Sequence, residues 1–179
     1  MRVMALVLLG SFSWMLFASS PFKQSLAQKT NAYVKDGLFI GGSAGSGSSL
    51  LAVRRNFSKK ANIERIIIDL GNKDAKPAGK NMSYYQASMD AQHNRVILDL
   101  AQLKLTLVSE QKLKQVFKDS PFVASVEFTL DPEDQAGTIV LNLKRPMQLE
   151  VFNLLSTPKP ARIVMDLTPA KVSKIKDRF

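Results

Sequence analysis

The chain has 179 residues, of which 45% are apolar and 22% charged, with a formal net charge of +10. These values fit one domain with a sizeable core. The complete lack of cysteine excludes a disulfide framework, a lipid-modified N-terminal cysteine and thiol catalysis together.

Arg2 is followed by the almost unbroken apolar run 3–18, then by Ser-Ser-Pro and by Ser25, Leu26 and Ala27. This is the pattern of a secretory signal peptide over 1–27, with cleavage expected after Ala27. The competing reading is an uncleaved membrane anchor, because the run lies near the lower limit of about 17 residues for spanning a bilayer. In either case the rest of the chain is expected across a membrane, and an exported cysteine-free domain fits a bacterial periplasm. Loss of 1–27 removes Arg2 and Lys23 and no acid, leaving 23 basic against 15 acidic groups, a net +8. That balance favours anionic partners such as cell-wall polymers or phospholipid surfaces. Nucleic acid is set aside, because an exported protein seldom meets it, and a solvated basic surface is the plainer reading.

Residues 28–49 hold GLFIGGSAGSGSS, with Gly37, Gly41, Gly42, Gly45 and Gly47 among small polar residues. A phosphate-binding Walker loop would need Lys and then Ser or Thr after its last glycine, whereas here the chain continues Ser48, Ser49, Leu50. The composition predicts a flexible linker. From 50 to 169 short apolar runs alternate with polar turns, the spacing of an all-β domain. Runs at 50–57 and 63–70 predict one hairpin, and 83–90 and 95–100 a second. Residues 103–108 predict a further short strand. Leu113, Val116 and Phe117 lie at helical spacing and predict a short helix over 110–118. In 122–130, Phe122, Ala124, Val126, Phe128 and Leu130 alternate with Val123, Ser125, Glu127 and Thr129, which predicts a half-buried strand. It pairs with 138–143 in a third hairpin, and 147–154 with 162–167 form the fourth. About eight strands in successive hairpins predict a two-sheet β-sandwich. The remaining segment, 170–179, is a basic tail.

One phrase recurs on the returning strand of each hairpin. It reads RIIIDL from Arg65, RVILDL from Arg95 and RIVMDL from Arg162, with a degenerate copy, TIVLNL, from Thr138. In the last copy Ile163, Met165 and Leu167 share one face of a strand and are expected in the core, while Arg162, Val164 and Asp166 share the other. Arg162 and Asp166 stand about 13 Å apart along a strand, too far to pair directly. Two readings remain open: the repeated Arg and Asp form ladders with neighbouring strands, or Arg65, Arg95 and Arg162 form a donor array for an anionic or carbohydrate ligand.

The C-terminal unit resembles the AMIN domain family through Leu141, Asn142, Leu143, Pro146, Val151, Phe152, Leu154, Pro160, Arg162, Asp166 and Leu167. The earlier copies, with Arg65 and Asp69 and with Arg95 and Asp99, extend the resemblance over about 50–169. Asn142 departs from the usual Asp, and the helical insert 110–118 is not part of the motif. The resemblance implies a periplasmic two-sheet β-sandwich, similar to the targeting domain of exported N-acetylmuramoyl-L-alanine amidases and to domains of type IV pilus secretins. It also implies association with peptidoglycan.

The single histidine, His93, falls in the turn AQHN and is read as an exposed turn residue. One histidine does not supply the several ligands of a zinc amidase site. Asp131, Glu133 and Asp134 cluster in a hairpin turn and are read as solvated rather than as a glycan-hydrolysing pair. The sequence therefore points to a non-catalytic binding module without metal or cofactor. Its expected partners are peptidoglycan or another anionic envelope polymer, or, as a second hypothesis, envelope proteins of a pilus or division complex docked through a strand edge.

Overall fold

Apolar and polar residues alternate with the two-residue period of a strand, so one face of each run is drawn out of water. In 95–100, for example, Val96, Leu98 and Leu100 are buried while Arg95, Ile97 and Asp99 are not. The computed structural model describes residues 22–24, 29–45 and 47–170. The strands are β1 (Phe22–Gln24), β2 (Gly37–Gly41), β3 (Ser48–Ser58), β4 (Ile63–Asn72), β5 (Tyr85–Asp90), β6 (Arg95–Leu100) and β7 (Leu103–Thr106). They are followed by helix α1 (Glu110–Phe117), β8 (Val123–Asp131), β9 (Ala136–Leu143), β10 (Met147–Leu154) and β11 (Ala161–Pro169).

The strands form a sandwich of two sheets, one ordered β1-β2-β5-β6-β9-β8 and the other β10-β11-β4-β3-β7. All four expected hairpins are present, as antiparallel pairs β3–β4, β5–β6, β8–β9 and β10–β11. Each sheet joins two of them through their returning strands, β4 to β11 in one and β6 to β9 in the other. The strands carrying the repeated phrase therefore occupy the centres of the sheets. Their inward rows include Ile66, Ile68 and Leu70, Val96 and Leu98, Ile139 and Leu141, and Ile163, Met165 and Leu167, which make one continuous core. A buried hydrogen bond, from the Tyr85 hydroxyl to Asn153 Oδ1 at 2.5 Å, links the two sheets through that core.

Helix α1 begins where Ser109 accepts from the Lys112 amide, and it buries Leu113 and Phe117. Its exit is held by Glu64, an acid on the inward row of β4 that is completely buried. Arg55 Nη1 lies 3.2 Å from Glu64 Oε1, and the Ser120 hydroxyl donates to Oε2 at 2.7 Å. The same hydroxyl accepts from the Phe122 and Val123 amides, while Arg55 Nε donates to the Val116 carbonyl. A buried carboxylate without such donors would be strongly destabilising, so this cluster sets the path from α1 into β8.

Two expectations need correction. The strict alternation expected along 122–130 fails at its start, because the β8–β9 register shifts between Val123 and Ser125; Val123 is buried and Ala124 exposed. The stretch 28–49, expected to be a flexible linker, is built into the sandwich. It supplies β2, which pairs with β5, and the first residues of β3, while Val34 exchanges two backbone hydrogen bonds with Leu149 at the free edge of β10. Its glycines serve close approach. A Cβ on Gly41 would lie 2.5 Å from the Tyr85 ring, and one on Gly42, at φ +72°, would lie 2.1 Å from the Ser83 carbonyl oxygen. The signal peptide or anchor expected over 1–27, apart from β1, and the basic tail beyond Ala170 lie outside the described residues. β1 itself pairs in parallel with β2.

Replacement of Gly42 by alanine distinguishes a built-in segment from a linker. The backbone clash and the left-handed φ predict a loss of more than about 1 kcal/mol, read as a lower midpoint in urea. A linker residue would tolerate the change without effect.

Candidate functional site

The candidate arginines are positioned by strand register. In the β4–β11 pair, Arg65 faces Asp166 and Asp69 faces Arg162, so the first position of each phrase meets the fifth of the other. Because the inward rows carry Glu64, Ile66, Ile68 and Leu70 on β4 and Ile163, Met165 and Leu167 on β11, these four side chains project from the outer face of the sheet. Arg65 grips Asp166 with two hydrogen bonds, Nε to Oδ1 at 2.7 Å and Nη2 to Oδ2 at 2.8 Å. Arg162 Nε donates to Asp69 Oδ1 at 3.0 Å. Arg54, from the neighbouring strand β3, holds the same carboxylate through Nε at 2.9 Å and Nη2 at 3.0 Å. The face thus carries a row of Arg54, Arg162 and Arg65 over two aspartates, with side chains 52%, 28% and 40% exposed.

Arg95 is not part of this row. It lies on the outer face of the other sheet, on the opposite side of the sandwich. There the phrase pairs in the same register, but with the degenerate copy: Arg95 faces Asn142, and Asp99 faces Thr138. The Thr138 hydroxyl donates to Asp99 at 2.7 Å, and the Asn142 amide nitrogen turns to Ser125 and Glu127. Arg95 pairs instead with Asp90, at 3.0 Å, and His93 Nδ1 lies 2.8 Å from the same carboxylate. The hydrogen bond from His93 is the main reason that Asp90 is held below its usual carboxylate range. His93 is an exposed turn residue, and Asp131 accepts from the Glu133 and Asp134 amides within its own hairpin turn. Among the described residues no group of three or more His, Cys, Asp or Glu is placed to hold a metal ion.

The first sheet face described above carries further groups that sequence reasoning missed. Asp166 and Glu150, adjacent on β11 and β10, are buried. Lys29 crosses over them, with its ammonium 2.6 Å from Glu150 Oε2 and 2.6 Å from Asp166 Oδ2. The amides of Thr30 and Ala32 donate to Glu150 Oε1. The ammonium also lies 4.8 Å from the centre of the Tyr33 ring and 5.6 Å from that of Phe152, while the Arg65 guanidinium lies 5.5 Å from Phe152. Residues 29–34 are therefore a strap across the outer face, which explains why Val164 and Phe152, on the side expected to face solvent, are buried.

Burial by itself would raise the carboxyl groups of Asp166 and Glu150, but hydrogen bonds outweigh it. Those from Arg65 and Lys29 hold Asp166 below its ordinary value, and those from Lys29 and the Thr30 amide do the same for Glu150. Lys29 is moved in the complementary sense: burial would lower it, while its bonds to Asp166, Glu150 and Tyr33 raise it. One signal for this cluster was present in the sequence, since Glu150 interrupts the apolar run MQLEVFNL and an acid in a buried strand requires a cation. Lys29 had no local signal.

Replacing Lys29 by methionine leaves Asp166 with Arg65 alone and Glu150 with only the Thr30 and Ala32 amides and the Thr30 hydroxyl, with no cation bonded to it, at a cost of about 2–3 kcal/mol after allowing for the partial exposure of Lys29. Carboxyl groups depressed in the folded state stabilise it above their unfolded values near 4, and that contribution is lost as pH falls through the folded values. Urea midpoints between pH 7 and pH 3 are therefore expected to fall at the acid end for the natural chain. For Lys29→Met, whose carboxyl groups lose the donor that depresses them, the fall should be smaller from a lower midpoint at pH 7, and superimposable profiles would remove the network from the account. Compared with protein-family models and with curated proteins, the chain matches none.

Proposed function

We propose that the chain is a non-catalytic periplasmic binding module that associates with peptidoglycan and so localises to the cell wall. The observation that carries this reading is the partly exposed row of Arg54, Arg162 and Arg65 on one sheet face. Each guanidinium has five N–H donors in a planar fork, and the ion pairs to Asp69 and Asp166 engage one or two of them. The aspartates thus orient the arginines while leaving donors for carboxylates and hydroxyls of a wall polymer. The resemblance of the phrase-bearing strands to the AMIN domain supports the same reading, as does the net +8 expected after signal removal. Arg95, on the opposite face, belongs to a separate surface, so Arg65 and Arg162 are the candidate ligand-binding pair.

A second reading, an adaptor docking on an envelope machine, is favoured by a different observation. Leu105 and Leu107 at the β7 edge and Leu130 at the β8 edge are exposed, and Leu107 and Leu130 line a groove that includes Phe128. Open edges of this kind accept an added strand.

Sedimentation with purified sacculi tests the first reading. The natural chain is expected in the pellet at physiological salt, and Arg65→Gln combined with Arg162→Gln is expected to reduce the bound fraction about tenfold. Each single variant is checked by urea unfolding, because both arginines also hold buried acids. Failure to pellet at low salt would count against peptidoglycan, and loss of binding at modest salt in every variant alike would reduce it to general charge attraction.

A further inference from the structure

At the end of the sandwich where the β4–β5 and β10–β11 loops lie, a cleft of about 640 Å³ opens. This volume is in the range of small-ligand sites, roughly 300–1,000 Å³. Its walls are tied together. Ser43 donates to the Met82 carbonyl and accepts from the Tyr84 amide, and Gly79 donates to the Lys159 carbonyl. The lining is polar and rich in amides and hydroxyls, contributed by Ser43, Asn72, Asn81, Ser83 and Asn153, with Lys80 at the mouth.

Asn153 is the informative residue. It is only 8% exposed, and its carbonyl oxygen is occupied by the Tyr85 hydroxyl. Its amide NH2 then has no hydrogen-bond partner among the described residues, and the side chain borders the cleft. A donor reachable from the cleft and held in one orientation by the Tyr85 bond is what a polar ligand needs from a site. The charge around it is one-sided. Lys73, Lys76, Lys80 and Lys159 are exposed, and among the described residues none of them is in an ion pair; the single acid of these loops is Asp74. Exposed Leu155 adds a small apolar surface suited to the C–H face of a sugar ring.

We infer that this cleft binds a carboxylated saccharide, with Asn153 and its neighbouring amides and hydroxyls taking the sugar's polar groups and the loop lysines its carboxylate. The inference rests on the peptidoglycan reading and extends it. The arginine row meets the cleft end of its sheet, since Asp69 is two residues from Gly71 of the lining and Arg162 faces Leu154, the neighbour of Leu155. The cleft would take an individual sugar unit where the outer face attracts the polymer.

The test uses the full chain and two soluble probes in titration calorimetry: the disaccharide of N-acetylglucosamine and N-acetylmuramic acid, which carries one carboxylate, and neutral chitobiose. The acidic disaccharide is expected to bind about tenfold more tightly than chitobiose. Lys76→Gln with Lys80→Gln, exposed changes that leave the fold intact, should abolish that difference. Asn153→Ala should weaken both probes, with a melting curve separating lost binding from lost folding. Equal affinity for the two probes, or an undiminished difference in the lysine variant, overturns the inference. Pelleting with sacculi without any disaccharide binding overturns the cleft alone, whereas absence of both overturns the peptidoglycan reading with it.

Discussion

A carboxylate removed from water must be surrounded by donors, and Asp166 imposes that requirement on the sheet built around β4, β10 and β11. Its side chain is completely buried on an outer sheet face, a position that would ordinarily be wet. Arg65 meets it from the neighbouring strand and Lys29 from above. The arginine therefore sets the register of β4 against β11. The lysine draws the strap 29–34 across the face, where it also neutralises Glu150 and covers Phe152 and Val164. Because such a group is tolerated only when fully paired, the strand pairing and the strap depend on one another.

The repeated phrase makes the arrangement reciprocal. An Arg at the first position and an Asp at the fifth give two ion pairs whenever two copies run antiparallel in full register, and a slip of one residue would turn every side chain to the wrong face. The second central pair keeps the register while dropping charge from one partner. Thr138 replaces an arginine and still donates to Asp99, and Arg95, facing Asn142, takes Asp90 instead. Charge thereby concentrates on one outer face, where three arginines stand over two aspartates. Basic charge concentrates at the adjoining loop end, where amides line the cleft and, among the described residues, no loop lysine is in an ion pair.

Much of the fold could be read from the chain because its signals are local. The eight hairpin strands follow from short apolar runs set between polar turns, and the helix from the spacing of Leu113, Val116 and Phe117. Strand β2 and the strap could not be read, because glycine and serine between two segments look alike whether they are mobile or packed. What separates the cases is the approach of Gly41 to Tyr85 and of Gly42 to Ser83, contacts across some 40 residues of chain. The site divides in the same way. Arg65 and Arg162 were marked by repetition, but Lys29 reaches Glu150 and Asp166 across 121 and 137 residues, and no periodicity encodes such a meeting.

The amino-acid sequence by itself determined the all-β character, the hairpins and the equivalence of the phrase-bearing strands, since period and turn composition are properties of neighbouring residues. Tertiary structure alone decided which copies pair, and hence that Arg65 and Arg162 share a face while Arg95 lies on the other side. It also decided that an apparent linker closes over a buried acid, and that Asn153 presents its amide to a cleft. The physical reason is that burial and charge pairing depend on distance in space, which the order of residues constrains only through the folded chain.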